Sequence, residues 1–186
     1  MSATTPRPAE ACPSLAYLHD RLYIDSEGEI RWRERPVLNR HDEAWNRLYA
    51  NKVAGGLDKD GYRRVNLRCP DGKGRYFWVH HVVWTMHYGA WAECELDHRD
   101  GCRTRNVISN LRRATRAQNQ ANRGTFKANT LGVKGASWDA ARGKWSAKIV
   151  KVGKRYQLGR FAKLEDAAEA YAQAAERLFG EYRRAA

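Results

Sequence analysis

Paired cysteines are absent from this sequence. Its four cysteines, Cys12, Cys69, Cys94 and Cys102, form no C-x-x-C motif, which is the spacing typical of a structural zinc knuckle. We therefore expect no structural zinc, and the isolated cysteines indicate reduced, partly buried thiols. A bridge from Cys94 to Cys102 across a hairpin is the alternative that the spacing leaves open.

Long apolar runs are also absent. No stretch approaches the ~18 residues of a membrane span, and the start of the chain has no signal-peptide pattern. These absences predict a soluble, intracellular protein with no membrane partner. Residues 1–13 contain three prolines and small residues, which predict a disordered lead.

Acidic residues are too few to balance the charge. The 186 residues include 34 Lys plus Arg against 21 Asp plus Glu, which gives a net charge of +13 and a pI near 9.9. Residues 1–61 carry 9 basic and 10 acidic side chains, residues 62–122 carry 11 and 5, and residues 123–186 carry 14 and 6. A polyanionic partner is indicated, with the last two thirds of the chain as its binding region.

Within this basic region, one set of polar residues can support phosphodiester hydrolysis. Asp97 and His98 are adjacent, and Asn110 and Asn119 follow. Carboxylate and amide oxygens are the ligands that a Mg²⁺-like ion prefers, and such an ion also binds substrate phosphate. An imidazole beside a metal-binding carboxylate is suited to take a proton from an attacking water. We therefore predict Asp97 and Asn119 as metal ligands and His98 as the general base.

Local signals place these residues on a strand, a turn and a helix. Asp100-Gly101 is a strong turn pair, which predicts a strand at Leu96–Arg99 just before it. Thr115 and Gln118 fit a capping box, so the asparagine ligand falls in the first turn of a helix. Asn122 shares that helix face and is expected to be a supporting partner or a phosphate contact.

The stretch at 80–123 resembles the HNH nuclease motif, in which a hairpin followed by a helix clamps one divalent ion in a small ββα-metal fold. It reads V-H-H-V-V-W, L-D-H-R-D-G, N-V-I-S-N-L-R-R-A-T and Q-N-Q-A-N, in the order seen in phage and homing endonucleases. The resemblance implies the same roles for Asp97, His98 and Asn119. It makes Asn110 the middle asparagine, which braces the loop against the hairpin.

The same resemblance implies a cofactor and a partner. Mg²⁺ is the expected ion, with Mn²⁺ as the alternative, and double-stranded DNA is the expected partner. His80 matches the leading histidine of the family, which we expect to orient neighbours or touch phosphate. At the final position the family often has histidine where this chain has Asn119. Arginines near the site are expected to contact DNA: Arg112, Arg113 and Arg116.

Turn signals organise the region ahead of the motif. Ser26-Glu27-Gly28 and Asp71-Gly72 predict the turns of two hairpins, the second of them rich in arginine. Apolar residues from Val82 to Tyr88 predict a helix that packs against the nuclease hairpin. Residues 33–60 are polar and are predicted to be irregular.

Residues 131–183 are predicted to form a separate unit. Apolar and polar residues alternate at 145–150 and 155–158, with turns at 141–143 and 152–154 and an earlier strand at 132–138. From Leu164 to Leu178 apolar residues follow a helical period that Gly180 ends. This pattern predicts three antiparallel strands with one helix on the back, and residues 123–130 are expected to be the linker before them.

This unit resembles the Apetala or ethylene-response-factor DNA-binding domain, through L-G-V-K-G, G-K-W-S-A-K-I, L-G-R-F and E-D-A-A-E-A-Y. In that family the open face of the sheet lies in the major groove. The positions that match its contact residues are Lys134, Lys148, Arg155 and Gln157. The alternation by itself puts the last three on the face away from the helix. Plant members have other residues at several of these positions, so their base specificity does not carry over.

Together these observations predict an α+β protein. It has a ββα-metal HNH core with β-hairpins, and a C-terminal three-stranded antiparallel sheet packed on one helix. The expected domains are a nuclease region at 14–122, the linker, and the DNA-binding domain at 131–183. The predicted function is that of a metal-dependent DNA endonuclease of the phage homing type, acting in the cytoplasm of the host if a phage encodes it.

Two other functions remain open at this point. One is a DNA-binding transcriptional or replication regulator whose HNH core is a silent scaffold. The other is an RNA nuclease, which is disfavoured because a sheet that reads the major groove does not suit A-form RNA. A monomer would be expected to nick DNA, whereas a homodimer could cut both strands.

Overall fold

The computed structural model describes residues 9–124, 129 and 131–183. The chain divides into two compact units, one up to Arg113 and one from Ala114. The helix that contains Asn119, which the sequence grouped with the nuclease region, falls in the second unit.

The first unit begins with a short helix and a hairpin. Helix α1 spans Leu15–Arg21, and Ser14 caps it by accepting a hydrogen bond from the Tyr17 N–H at 3.2 Å. Strands β1 (Leu22–Ile24) and β2 (Ile30–Trp32) pair antiparallel. This hairpin confirms the predicted turn around Gly28, whose φ of 78° requires the left-handed region.

Part of the predicted disordered lead is packed instead. Residues 1–8 lie outside the described residues, but Ala9–Ala11 form a 3₁₀ turn, and Cys12 and Pro13 are buried. The Pro13 carbonyl accepts a hydrogen bond from Trp91 Nε1 at 3.0 Å. Apolar contacts and this bond order the segment despite its proline content.

Residues 33–60 are not irregular throughout, so that prediction was wrong. Helix α2 spans Arg40–Tyr49, and the Asn39 side chain caps it by accepting from the His41 and Asp42 N–H groups. The helix also has Asp42 and Glu43 in its first turn, where negative charge is favourable. None of its residues is fully buried, although the Trp45 ring packs edge-on against that of Trp32, with ring centres 5.8 Å apart.

A three-stranded sheet follows, formed by β3 (Gly56–Leu57), β4 (Arg63–Arg68) and β5 (Gly74–Trp78) in that spatial order. The second predicted hairpin, β4–β5, is confirmed. Val65 and Leu67 point into the core, while the alternating residues of β4 are exposed or partly exposed.

Helix α3 (Val79–Tyr88) contributes several residues to the core of the first unit. Val79, Val82 and Val83 are almost completely buried, and the helix ends at Gly89 in the left-handed conformation, with φ 78°. The predicted helix at this place is confirmed. Strands β6 (Glu95–His98) and β7 (Leu111–Ala114) form a two-stranded sheet, with a 3₁₀ turn at Ile108–Asn110 just before β7.

The second unit contains the predicted antiparallel sheet. Helix α4 (Arg116–Asn122) comes first, followed by β8 (Ala136–Asp139), β9 (Lys144–Lys151) and β10 (Lys154–Phe161), with β9 in the centre. Helix α5 (Leu164–Phe179) packs on β9 and β10 through Ile149, Ala174 and Ala175. Of the predicted linker, residues 125–128 and 130 lie outside the described residues.

Two expectations from composition can be compared with the structure. All four cysteines are free thiols, so the Cys94–Cys102 bridge is not formed. Among the described residues, no helix is long and apolar enough to cross a membrane.

Candidate active site

Asp97 lies at the centre of the candidate site, on β6, and is held by an arginine of the neighbouring strand. It is 4% exposed. Arg112 Nε donates to Asp97 Oδ2 at 2.8 Å, and Nη2 of the same guanidinium is 2.8 Å from that oxygen. A guanidinium at this distance makes charge-assisted hydrogen bonds to a carboxylate. Arg112 therefore fixes the position of Asp97.

This arrangement changes the role of Arg112. We predicted a DNA contact, but only 6% of the residue is exposed and its guanidinium faces Asp97. The guanidinium therefore serves to hold Asp97, and a DNA contact by Arg112 stays a prediction. Its neighbour Arg113 is exposed, and so is Arg116 at the start of α4, so both remain predicted DNA contacts.

His98, the last residue of β6, is 4% exposed. Its Nε2 lies 3.0 Å from Oδ1 of Asn106. Burial lowers the pKa of His98, with a further contribution from the nearby Arg103 guanidinium, whereas the Asn106 hydrogen bond and the charges of Asp100 and Asp97 act in the opposite direction. The imidazole is therefore neutral near pH 7, the state in which it can accept a proton.

Asn110 holds the loop that joins β6 to the following turn. Its Nδ2 donates to Asp100 Oδ1 at 2.9 Å and to the Arg105 carbonyl at 2.8 Å. Its Oδ1 accepts from the Asp100 N–H at 3.1 Å, and its carbonyl accepts from the Arg99 N–H at 2.8 Å. Four hydrogen bonds from one residue give the loop a fixed geometry, as a bracing residue requires. Its catalytic role remains a prediction.

His80 packs against the ring of His98. It is almost completely buried on α3, and its ring centre lies 5.0 Å from that of His98 in an edge-to-face arrangement. Burial lowers the pKa of His80 far below its usual value, so the ring stays neutral. The ring of Tyr62 lies beside both histidines, with its centre 5.7 Å from that of His80 and 6.1 Å from that of His98. This geometry suits an orienting role better than phosphate contact for His80.

One further residue was not found from the sequence. Asn106 is 2% exposed and contacts the predicted base directly. An asparagine inside a polar loop looks like an ordinary turn residue, which is why this contact was not predicted.

Arg103 is one of the arginines that lie close to the site in the sequence. It lies 5.0 Å from the ring centre of Tyr62 and donates to the carbonyl of Asp60. It thereby joins the loop after β6 to the turn before β4.

Asn119 and Asn122 belong to α4, in the second unit. The predicted capping box is present: Thr115 Oγ1 accepts from the Gln118 N–H at 3.3 Å, and Gln118 Oε1 accepts from the Thr115 N–H at 2.7 Å. Asn119 is therefore fixed in the first turn, where its N–H donates to the Thr115 carbonyl at 2.9 Å. Asn122 is 3% exposed. The roles of both asparagines remain predictions.

The donor chemistry of the site fits a hard divalent ion. Mg²⁺ is commonly bound by one or two carboxylates together with water and substrate phosphate, so Asp97 with one amide oxygen is a suitable set. Both of these contacts from Arg112 meet at Oδ2 of Asp97. Within residues 9–124, 129 and 131–183, no group of three or more His, Cys, Asp or Glu side chains is arranged to hold a metal.

The open face of the C-terminal sheet carries three of the predicted DNA contacts. Lys148 pairs with Gln157 across β9 and β10, and Arg155 pairs with Val150. These positions alternate with Ile149, which packs on α5, so their side chains lie on the opposite face, and all are exposed. Gln157 Nε2 also donates to Ser146 Oγ at 2.9 Å.

Lys134, the fourth residue predicted to contact DNA in this unit, makes a hydrogen bond within the protein. Lys134 precedes β8, and its Nζ donates to the carbonyl of Ala121 at 2.9 Å, in the last turn of α4. A lysine at a helix C-terminus satisfies a carbonyl that has no partner within the helix. Lys134 thus joins α4 to the sheet, and its role as a DNA contact remains a prediction.

Comparison with known proteins identifies relatives of the segment that contains the site. Residues 77–121 match a family model described as HNH endonuclease. The DNA endonuclease I-HmuI of Bacillus phage SP01 is 37% identical over 111 residues, which cover 54% of this chain and 63% of I-HmuI. Protein 3.8 of Escherichia phage T7 is 38% identical over 61 residues, which cover 33% of this chain and 50% of that protein.

One solved structure is also similar. It is described as "DNA binding and cleavage by the HNH homing endonuclease I-HmuI", and it matches 91% of this chain and 90% of its own with a TM-score of 0.41 and 20% identity. The chain spans less than two thirds of the length of the curated relatives that it matches in sequence. The matched segment contains Asp97, His98, Asn106, Asn110 and Asn119.

Proposed function

We propose that this chain is a metal-dependent DNA endonuclease of the HNH homing type. The observation that carries the proposal is a buried His98 next to Asp97, which is paired with Arg112, within the segment that matches the HNH endonuclease family. A proton acceptor adjacent to a hard oxygen ligand is what hydrolysis of a phosphodiester requires.

His98 carries the proton transfer in this mechanism. Its imidazole takes a proton from a water molecule as the water oxygen forms a bond to phosphorus. The bond from phosphorus to the 3′ oxygen breaks on the opposite side, and the 3′ oxygen takes up a proton from solvent, which leaves a 5′ phosphate and a 3′ hydroxyl. The imidazolium of His98 then returns its proton to solvent. Asp97 and Asn119 would hold the divalent ion, which when bound neutralises phosphate charge and stabilises the leaving oxygen. Arg112 keeps the Asp97 carboxylate in place.

The C-terminal unit would direct the enzyme to its target through the open face of its sheet. Lys148, Arg155 and Gln157 share that face, and arginine and glutamine can make bidentate contacts to guanine and adenine edges. A second DNA-binding unit on the same chain raises the local concentration of the cutting site. Specific binding then depends less on salt-sensitive phosphate contacts alone.

If the chain binds DNA through this face, substitution of Arg155 should lower the affinity for DNA more than substitution of Arg177. Arg155→Ala should weaken binding to target DNA by about tenfold, because a bidentate base contact is worth about 1–3 kcal/mol. Arg177→Ala is the matched control, since Arg177 is exposed on α5 in the same unit and loses the same charge. Fluorescence anisotropy with labelled duplex DNA measures both. An equal loss of affinity in the two variants would contradict the assignment of the sheet face.

Metal dependence provides the direct test of the function. Supercoiled plasmid, together with a plasmid library that covers random targets, is incubated with the protein in Mg²⁺, in Mn²⁺ or in EDTA. We expect conversion to nicked or linear DNA with either ion and none in EDTA. DNA binding without conversion in any condition would instead support the regulator, in which the Asp97–Arg112 pair is a structural ion pair of a silent scaffold.

A further inference from the structure

We propose that Asn106 is a positioning residue that holds His98 in the tautomer with its proton on Nε2, so that Nδ1 is the nitrogen that accepts the proton of the attacking water. The inference rests on the proposed nuclease function. It adds a residue and a specific ring atom to that mechanism.

Two hydrogen-bond partners fix the orientation of the Asn106 amide. Its Nδ2 donates to the Thr104 carbonyl at 3.1 Å. A backbone carbonyl can only accept, so the amide nitrogen must face it. The other end of the amide, which lies 3.0 Å from His98 Nε2, is therefore the oxygen. The two contacts together fix which way the amide points.

The tautomer of His98 follows from the orientation of this amide. A carbonyl-type oxygen can accept but cannot donate, so the Nε2 that faces it must carry the hydrogen. A neutral imidazole carries one hydrogen, and Nδ1 therefore keeps its lone pair. Proton transfer to Nδ1 produces an imidazolium whose Nε2–H still donates to the same oxygen. The hydrogen bond becomes charge-assisted and stronger at that stage.

The pair formed by Asn106 and His98 is held rigidly. Asn106 and His98 are both almost completely buried, and the Asn106 N–H donates to the Thr104 carbonyl at 3.1 Å. The loop that contains Asn106 is held at its other end by Asn110, which donates to the Arg105 carbonyl at 2.8 Å. The ring of His80 packs against His98 edge to face. Inversion of the amide or rotation of the imidazole would therefore break buried hydrogen bonds.

The tautomer can be measured directly in the free protein. Ring nitrogens of histidine have distinct ¹⁵N chemical shifts when they are protonated and when they are not, and comparison with His98→Gln identifies the His98 signals. We expect the Nε2–H tautomer in the wild type, a mixture of tautomers in Asn106→Ala, and restoration in Asn106→Asp, which keeps an acceptor oxygen. We expect kcat for DNA cleavage to fall about 10- to 100-fold in Asn106→Ala, with DNA affinity unchanged.

A matched control distinguishes loss of the contact with His98 from a general loss of structure. Asn46 also makes two hydrogen bonds through its amide, from the Arg35 N–H and to the Arg35 carbonyl, but it lies on α2 and has no contact with His98 among its described hydrogen bonds. Asn46→Ala should leave the His98 tautomer and kcat unchanged. An equal loss of kcat in Asn46→Ala and Asn106→Ala would overturn the inference.

Different results would overturn the role of Asn106 and the nuclease function. If the wild type cleaves DNA but His98 has its proton on Nδ1, or if Asn106→Ala leaves the tautomer and kcat unchanged, the inference is overturned and the nuclease function stands. If the wild type shows the Nε2–H tautomer and cleaves no DNA in Mg²⁺ or Mn²⁺, the nuclease function is overturned, and with it the catalytic role of Asn106.

Discussion

His98→Ala should reduce DNA cleavage by about 10³-fold or more, because a positioned general base typically contributes 10²- to 10⁴-fold to the rate. Alanine cannot take the proton of the attacking water. The residue is buried behind Tyr62 and His80, so it contributes little surface to DNA binding. Affinity for duplex DNA should therefore stay within about twofold.

The measurement is the initial rate of plasmid conversion, with anisotropy for the affinity. His87→Ala is the matched control, because His87 lies on α3 near the same core but is exposed. It should cleave at the wild-type rate. Wild-type cleavage by His98→Ala would remove His98 from the chemistry, whereas a parallel loss of binding would mean that the variant has lost its fold.

Arg112→Ala should lower the free energy of unfolding by about 3–5 kcal/mol, the usual cost of leaving one partner of a buried ion pair without its counter-charge. Both side chains are about 95% buried, so water cannot replace the guanidinium. Urea denaturation followed by circular dichroism measures the change. Cleavage should also fall, because the carboxylate that would bind the metal loses its fixed position.

Arg105→Ala is the control for that experiment. Arg105 pairs with Asp100 at 3.4 Å, but its side chain is 63% exposed, and exposed pairs contribute at most about 1 kcal/mol. The double variant Asp97→Asn with Arg112→Ala should recover part of the loss, since it removes the uncompensated charge. If Arg112→Ala were as stable as Arg105→Ala, Asp97 would have another counter-charge.

The parts of the fold that could be predicted are those with strong local signals. The hairpins at Gly28 and Gly72 and the C-terminal sheet have turn residues between alternating strands, and these patterns act over a few residues. Helix α2 is mostly polar, which hides the helical spacing of Ala44, Trp45, Leu48 and Tyr49. Its start could have been found from Asn39, a preferred N-cap residue followed by acidic side chains.

The site was predictable in its chemistry but not in its packing. Asp97 and His98 are adjacent in the sequence, and their residue types indicate metal binding and proton transfer. The partner of Asp97 is Arg112, fifteen residues away on the neighbouring strand, and only the pairing of β6 with β7 brings them together. The bond between His98 and Asn106 depends in the same way on the path of the intervening loop, which no short-range pattern specifies.

The hydrogen bond between Pro13 and Trp91 has a practical consequence for shortened versions of this protein. A chain cut before Ser14 would leave the indole N–H of Trp91 without its acceptor and would open the space that Cys12 and Pro13 fill. The folded body therefore begins at least two residues ahead of α1, in a segment whose composition suggests a dispensable tail. The chain has seven tryptophans, so the change in emission wavelength on truncation, compared with that of the same truncation carrying Trp91→Phe, reports whether that edge of the core is intact.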